Sequence, residues 1–442
     1  MQSNLTRRGV VLAGGAGLGT LGPALLAACG GGSTPATTQQ AATQSAAISG
    51  PVELMWSNEQ TTVDFLNADW IPNFKKENPQ SDVTLTIVPG SWDDLFQKIQ
   101  VTNAAGTPPT IARGKDYFTG DMAALGLVEP LDKWLKGQKE VTAEQYLPAI
   151  WGNVGYKGSV IGLPLYSFVR PLYYNVALFR EAGLLQGTKP IVADTWQDWA
   201  RMARQLTQPS KGIWGTQVYN YVGEDGTTAW VNYLIQSGGQ LINAERTKYT
   251  FNTPAGIESL QFLVDLVLKD RACFGPDDKN PDGVRKVAMW NAVGNGAYNN
   301  YAKNMPDLEY ALTMVPKNKN RGVIARGQGL YLMKAAKTKE ASWAFMRFAS
   351  RDDNSHNFTQ AIRLGPVKTT NFSKEPYVSD PEWKVNLDQY RIKENVLQPI
   401  YGGYTEGAKT IAEELLAAYR GQKAPKDALA DAERRATLLL KG

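Results

Sequence analysis

Short clusters of aromatic, amide and charged side chains are the places where this 442-residue chain could do chemistry. Trp56-Ser57-Asn58-Glu59 and Arg113-Gly114-Lys115-Asp116-Tyr117 each follow a strand-like run, and Tyr166 and Arg170 lie close together further on. Tyr219-Asn220-Tyr221 precedes Glu224-Asp225-Gly226 and Trp230, Trp290-Asn291 leads into a Gly/Asn-rich stretch holding Asn295 and Tyr298, and Tyr401-Gly402-Gly403-Tyr404 comes before the last helical segments. Aromatic rings stack on flat C–H faces, while carboxylates, amides and cationic groups meet hydroxyls. The chemistry on offer is non-covalent recognition of a small polar molecule. The ligand-contacting set expected on this reasoning is Trp56, Asn58, Glu59, Lys115, Asp116, Tyr117, Tyr166, Arg170, Tyr221, Trp230, Trp290, Asn291, Asn295, Tyr298 and Tyr401. Plainer readings stand beside it: a helix cap for Trp56–Glu59, a solvated turn for 113–117, and a structural ion pair for Arg170.

Two scarcities limit other chemistries. The one histidine is His356, which excludes a His-cluster metal site, and no catalytic residue, metal or cofactor is expected. The two cysteines are Cys29 and Cys273, and Cys273, between Ala272 and Phe274, reads as a small buried hydrophobe. A glycan hydrolase would need two carboxylates placed across a bond; Glu59 and Glu224 could be chosen, but no local motif recommends them. The net charge of +5 falls to +3 without Arg7 and Arg8 and forms no basic stripe, so nucleic acid is not an expected partner.

The elements that must carry these clusters alternate between strand and helix. Val52 to Trp56 and Val83 to Ile87 alternate as strands, whereas Leu66, Trp70 and Phe74 recur at helical spacing, with Pro72 predicting a kink or early break. Ser91-x-x-Asp94 and Thr195-x-x-Asp198 read as helix caps, and Thr253-Pro254 places a cap before a first-turn proline. Trp70, Trp199, Trp343 and Phe345 sit among apolar neighbours at helical spacing and belong to packing, while Trp290 is expected to stand out in a cleft. Such alternation predicts parallel α/β construction, and the length calls for two lobes.

The first fifty residues read as an address. Arg7-Arg8 precedes an uncharged stretch ending Leu26-Ala27-Ala28-Cys29, which has the parts of a secretory signal. The arginine pair resembles a twin-arginine signal, although Val10 and Val11 stand where that pattern prefers Phe and Leu. Leu26–Cys29 resembles a lipobox, which implies cleavage after Ala28 and lipid on Cys29. The uncharged segment from Gly30 to Gly50 then reads as a flexible tether.

From residue 51 onwards the chain resembles the extracellular solute-binding proteins of ABC importers, in the maltose-binding-like, sugar-binding cluster. The resemblance rests on Gly158-Ser-Val-Ile-Gly-Leu-Pro-Leu-Tyr166, Leu172-Tyr-Tyr-Asn-Val-Ala-Leu-Phe-Arg-Glu-Ala-Gly183, Thr195-Trp-Gln-Asp-Trp199, Ser237-Gly-Gly239, Phe251-Asn-Thr-Pro254 and Gly283–Met289, in that order. Pro109-Thr110 departs from the family's usual Pro-Asp. The resemblance implies a two-lobed α/β periplasmic-binding-protein fold with a hinge and a central ligand cleft. Its expected parts are a signal peptide at 1–28, a tether at 29–50, an N-terminal lobe at 51–168 and 328–371, and a C-terminal lobe at 169–327 and 372–442. Hinge crossings are expected near Tyr166–Arg170, Arg326–Gly329 and Thr369–Ser373. It further implies a monomer that takes a sugar or oligosaccharide to ABC permease subunits, held at the membrane by its lipid. A phosphoester, peptide or polyamine ligand is the alternative.

Overall fold

The computed structural model describes residues 48–218, 221–279, 282–291, 301 and 303–441. Among the described residues eleven strands build the two main sheets. In chain order these are β1 (Val52–Ser57), β2 (Val83–Val88), β3 (Ile111–Lys115), β4 (Leu163–Phe168), β5 (Leu172–Asn175), β6 (Trp214–Gln217), β7 (Cys273–Phe274), β8 (Val287–Asn291), β9 (Tyr310–Thr313), β10 (Ile324–Leu332) and β11 (Val396–Leu397). The first sheet runs β11-β10-β3-β1-β2 with β4 also on β10; the second runs β7-β6-β8-β5-β9. β1 pairs in parallel with β2 and β3, as the alternating pattern predicts, while β10 enters antiparallel to β3 and β4. The second sheet repeats the plan: β6 is parallel to β7 and β8, and β5 is antiparallel to β8 and β9.

The helices that bear on the site are α1 (Trp92–Ala104), α2 (Phe118–Ala124), α3 (Trp196–Leu206), α4 (Gly223–Gln236), α5 (Pro254–Val264), α6 (Lys339–Ala349), α7 (Asp352–Ala361), α8 (Pro381–Tyr390), α9 (Tyr404–Tyr419) and α10 (Pro425–Thr437). Their starts obey local chemistry. Ser91 and Asp94 form a capping box on α1, Thr195 accepts from the Asp198 amide at α3, and Thr253 accepts from the Gly256 amide ahead of Pro254 at α5. Pro72 does not end its helix. A π-turn over Leu66–Trp70 precedes it, and the helix continues to Glu77 with the proline in the first turn after the turn of π-helix. Thr110, at the departure from the family pattern, accepts from the Glu53 amide at 2.9 Å and so joins β1 to the start of β3.

The chain leaves the first sheet between Phe168 and Leu172 and returns to it between Thr313 and Ile324. The return is earlier than the expected Arg326–Gly329, because all of Ile324–Leu332 is strand and is buried in the first sheet. A boundary at 327/328 would therefore cut β10. β11, inside the segment assigned to the C-terminal lobe, also pairs with the first sheet. α2 meets the N-terminus of α9 closely: a Cβ on Gly120 would collide with the Tyr401 backbone, and Asp121 accepts from the Gly403 and Thr405 amides.

Candidate functional site

β3 carries a charge into the interior. Arg113 is fully buried and makes five hydrogen bonds, to Gln328 (2.8 Å), Ser57 (2.9 Å), Thr62 (3.2 Å), Glu59 (2.5 Å) and the Tyr166 hydroxyl (2.9 Å). Its guanidinium carbon also lies 4.9 Å from the Trp56 ring, 4.8 Å from Trp92 and 5.5 Å from Tyr166. A planar cation among aromatic faces, with its fork of donors filled, is held in one orientation. At the end of the same strand, Asp116 takes Arg326 of β10 at 2.7 Å and accepts from the Gly327 amide at 3.0 Å. Two cations of the first sheet are thereby matched by carboxylates that closely follow β1 and β3.

A second set of charges joins the first sheet to α4. Lys115 Nζ lies 3.1 Å from Glu224 Oε1 and 3.6 Å from Asp225 Oδ2. Arg170, in the first crossing, reaches Asp225 Oδ1 at 2.9 Å, and Arg326 Nη1 is 4.0 Å from the same oxygen. The Tyr117 hydroxyl donates to Glu224 Oε1, and the Tyr117 ring stacks on Tyr404 at 5.9 Å. Both acids occupy the first turn of α4, where the helix dipole favours negative charge. The two carboxyls titrate apart. Burial alone would raise Asp225, but Lys115, Arg170 and Arg326 outweigh it and hold that carboxyl well below the usual range. Glu224 is pushed up by burial, with Lys115 opposing and Asp225 adding to the rise.

The other end of α4 is hydrogen-bonded to both segments in which the chain crosses between the sheets. Asn232 Oδ1 accepts from the Ile324 amide at 2.9 Å, and the Gln236 carbonyl accepts from the Lys319 amide at 3.0 Å. The Tyr233 hydroxyl donates to Asn291 Oδ1 at 3.1 Å, and Asn291 Nδ2 donates to the Pro171 carbonyl at 3.3 Å. Arg170, Trp199, Asn232, Tyr233, Gln236 and Asn291 line a cavity of about 20 Å³ there, room for about one water. One helix thus carries acids at the charge cluster and touches both crossings.

The structure brings Trp56, Glu59, Lys115, Asp116, Tyr117, Tyr166 and Arg170 together with Glu224 and Asp225. Asn58 is exposed beside them. Four other expected contacts are packing residues in this conformation. Trp230 is fully buried between α4 and α5, donating to Ser259 at 2.9 Å with its ring edge-on to Phe251. Trp290 is 2% exposed, stacks on Tyr173 at 5.5 Å and donates to the Tyr301 hydroxyl at 2.7 Å, so it does not stand out in a cleft. Tyr221 packs on Tyr419 and donates to the Phe274 carbonyl, and Tyr401 packs on Tyr404 and donates to the Tyr249 hydroxyl at 3.0 Å. Asn291 links Tyr233 of α4 to the Pro171 carbonyl in the first crossing. Asn295, Tyr298 and Cys29 lie outside the described residues. Sequence reasoning missed Trp92, Gln328 and Arg326. The available signal was an arginine and a glutamine inside the otherwise apolar run Ile324–Leu332, because a buried charge in a central strand must have a partner.

Among the described residues no His, Cys, Asp or Glu cluster is arranged to hold a metal ion, and no helix is long and apolar enough to cross a membrane.

Residues 56–355 match the family described as bacterial extracellular solute-binding protein. The sn-glycerol-3-phosphate-binding periplasmic protein of Pectobacterium atrosepticum is 24% identical over 394 residues, covering 83% of this chain and 86% of that one. An ABC transporter solute-binding protein of Thermotoga lettingae, solved with α-D-tagatose, superposes with a TM-score of 0.77 at 22% identity, covering 88% of this chain and 100% of that one. A Listeria monocytogenes ABC substrate-binding protein solved with cycloalternan gives 0.77 at 18% identity, covering 88% and 98%. The fold is the two-lobed periplasmic-binding-protein fold.

Proposed function

Because this chain belongs to the bacterial extracellular solute-binding protein family, we propose that it captures a sugar or oligosaccharide between its two sheets and delivers it to the membrane subunits of an ABC importer. The observation that carries this reading is the convergence at one place of Lys115 and Tyr117 from the end of β3, Arg170 from the first crossing, and Glu224 and Asp225 from α4. Groups from both sides that already satisfy one another there are the groups a ligand's hydroxyls would bridge. The hydrogen bonds from α4 to both crossings couple such contacts to hinge motion, since a ligand shifts the hinge through contacts that differ between open and closed forms. We also propose that Cys29 is acylated and holds the protein at the outer side of a membrane, with the uncharged segment 30–50 as a tether. The protein acts as a carrier and performs no catalysis on its ligand.

A phosphoester is the second reading. It is favoured by the relative named for sn-glycerol-3-phosphate and by the three cations Lys115, Arg170 and Arg326 around the acids.

A thermal-shift screen of sugars, polyols and phosphoesters tests the function. Ligand at 100 times its Kd adds about 2.7 kcal/mol to stability. A saturable shift with a saccharide, with no product formed, supports the carrier; release of a hydrolysis product overturns it. For the anchor, Cys29→Ala should leave a precursor that takes up no labelled fatty acid, and continued labelling would refute acylation at Cys29.

A further inference from the structure

We propose that the site selects neutral ligands bearing at least two hydroxyls and rejects phosphoesters, with Glu224 as the residue that decides. This deepens the solute-capture reading and rests on it.

The first argument is charge balance. Among the described residues of the cluster, each cation has its carboxylate: Arg113 with Glu59, Arg326 with Asp116, Arg170 with Asp225, and Lys115 with Glu224. Residues 219–220 and 292–300 carry no charged side chain, so they do not alter the balance. No cation in the set is left over for a phosphate. To gain one, a phosphate must displace Glu224 or Asp225 from its partner and remain beside the displaced carboxylate, with little water to screen the two.

The second argument concerns two buried atoms. Glu224 Oε2 has no hydrogen-bond partner among the described residues, and neither has Arg326 Nη1, whose approach to Asp225 is the 4.0 Å ion pair. Their residues are 6% and 2% exposed, so bulk water reaches neither freely. Leaving such groups unmet is costly. One requires a donor and the other an acceptor. A hydroxyl is both, and a molecule with two hydroxyls serves both atoms. A phosphate offers acceptors, which would suit Arg326 and face Glu224 with like charge. An ammonium offers donors, which would suit Glu224 and repel Arg326. A neutral sugar or polyol meets both atoms without setting a charge beside Glu224, whereas a phosphoester, whatever hydroxyls it also carries, brings its negative phosphate against that carboxylate.

The test is calorimetric titration of the purified protein and of Glu224→Gln. The probes are a panel of neutral mono- and oligosaccharides and polyols, together with sn-glycerol-3-phosphate and inorganic phosphate. The expected result is that the wild type binds a neutral member at least 100-fold more tightly than either phosphate compound. Glu224→Gln should narrow that gap at least tenfold, by weakening the neutral ligand and admitting the phosphoester. Glu224→Asp keeps the charge but withdraws the oxygen; it should lose neutral affinity while still excluding phosphate, and it tests the proposal even if the glutamine variant folds poorly. A wild type that binds the sugar, with the ratio unchanged in both variants, overturns the role of Glu224 and leaves the sugar reading standing. A wild type that prefers the phosphoester, or binds no neutral member, overturns the sugar reading itself.

Discussion

Lys115 Nζ stands 3.1 Å from Glu224 Oε1, and this contact ties the end of β3 in the first sheet to the first turn of α4. The neighbouring Asp225 completes the tie through Lys115 and Arg170. Under the proposed function, the same atoms that hold the first sheet to α4 are the ones that meet the ligand's hydroxyls.

Asp225→Asn should reveal the tie as pH-dependent stability. The Asp225 carboxyl is held below its usual range because three cations outweigh the effect of burial. Its contribution is therefore present above the unfolded value, about 4, and is lost as pH falls below that. Urea unfolding at pH 7 should find the variant weaker by about 2 kcal/mol, a buried-pair loss discounted for partial exposure. The difference should shrink at pH 3. An equal difference at both pH values would mean that the charge of Asp225 is not what stabilises the fold.

Trp290→Ala and Trp199→Ala should behave alike. Both rings are at most 2% exposed, Trp290 against Tyr173 and Trp199 against Tyr233. Each truncation should cost about 3–5 kcal/mol in chemical unfolding. A Trp290→Ala protein that unfolds like the wild type but binds ligand several-fold more weakly would return this ring to the ligand.

What the sequence made legible was local. Ser91, Thr195 and Thr253 announce their helices within four residues, and the alternation in Val52–Trp56 suffices for β1. Sequence alone points Trp290 outward because its burial comes from afar: it pairs in register with Tyr173, more than a hundred residues away, and a Gly- and Asn-rich stretch follows it. The sequence points to a return crossing inside β10 for a similar reason. Arg326, Gly327, Gln328 and Gly329 look like a loop until Asp116 and Arg113 are seen to satisfy their polar groups. The charged cluster is partly legible, since Lys115 to Tyr117 and Arg170 already stand out in the sequence. Its partners on α4 and β10 are set by tertiary contact.

Cys273 should be a silent thiol. Burial pushes it up to about 11, and the Tyr221 hydroxyl lies 3.4 Å away. A soluble form lacking Cys29 should give no reaction with a thiol reagent at pH 8 when native and one thiol per chain in denaturant. Rapid native labelling would contradict the buried position.

The most direct measurement is titration calorimetry of wild type and Lys115→Met with a neutral saccharide taken from the thermal-shift screen. Losing the ammonium removes a ligand donor and strands Glu224, so affinity should fall at least tenfold, about 1.4 kcal/mol, with one site per chain and the saccharide recovered intact. Equal affinity in the two proteins, or consumption of the saccharide, would contradict a carrier whose ligand is read at the junction of Lys115 and Glu224.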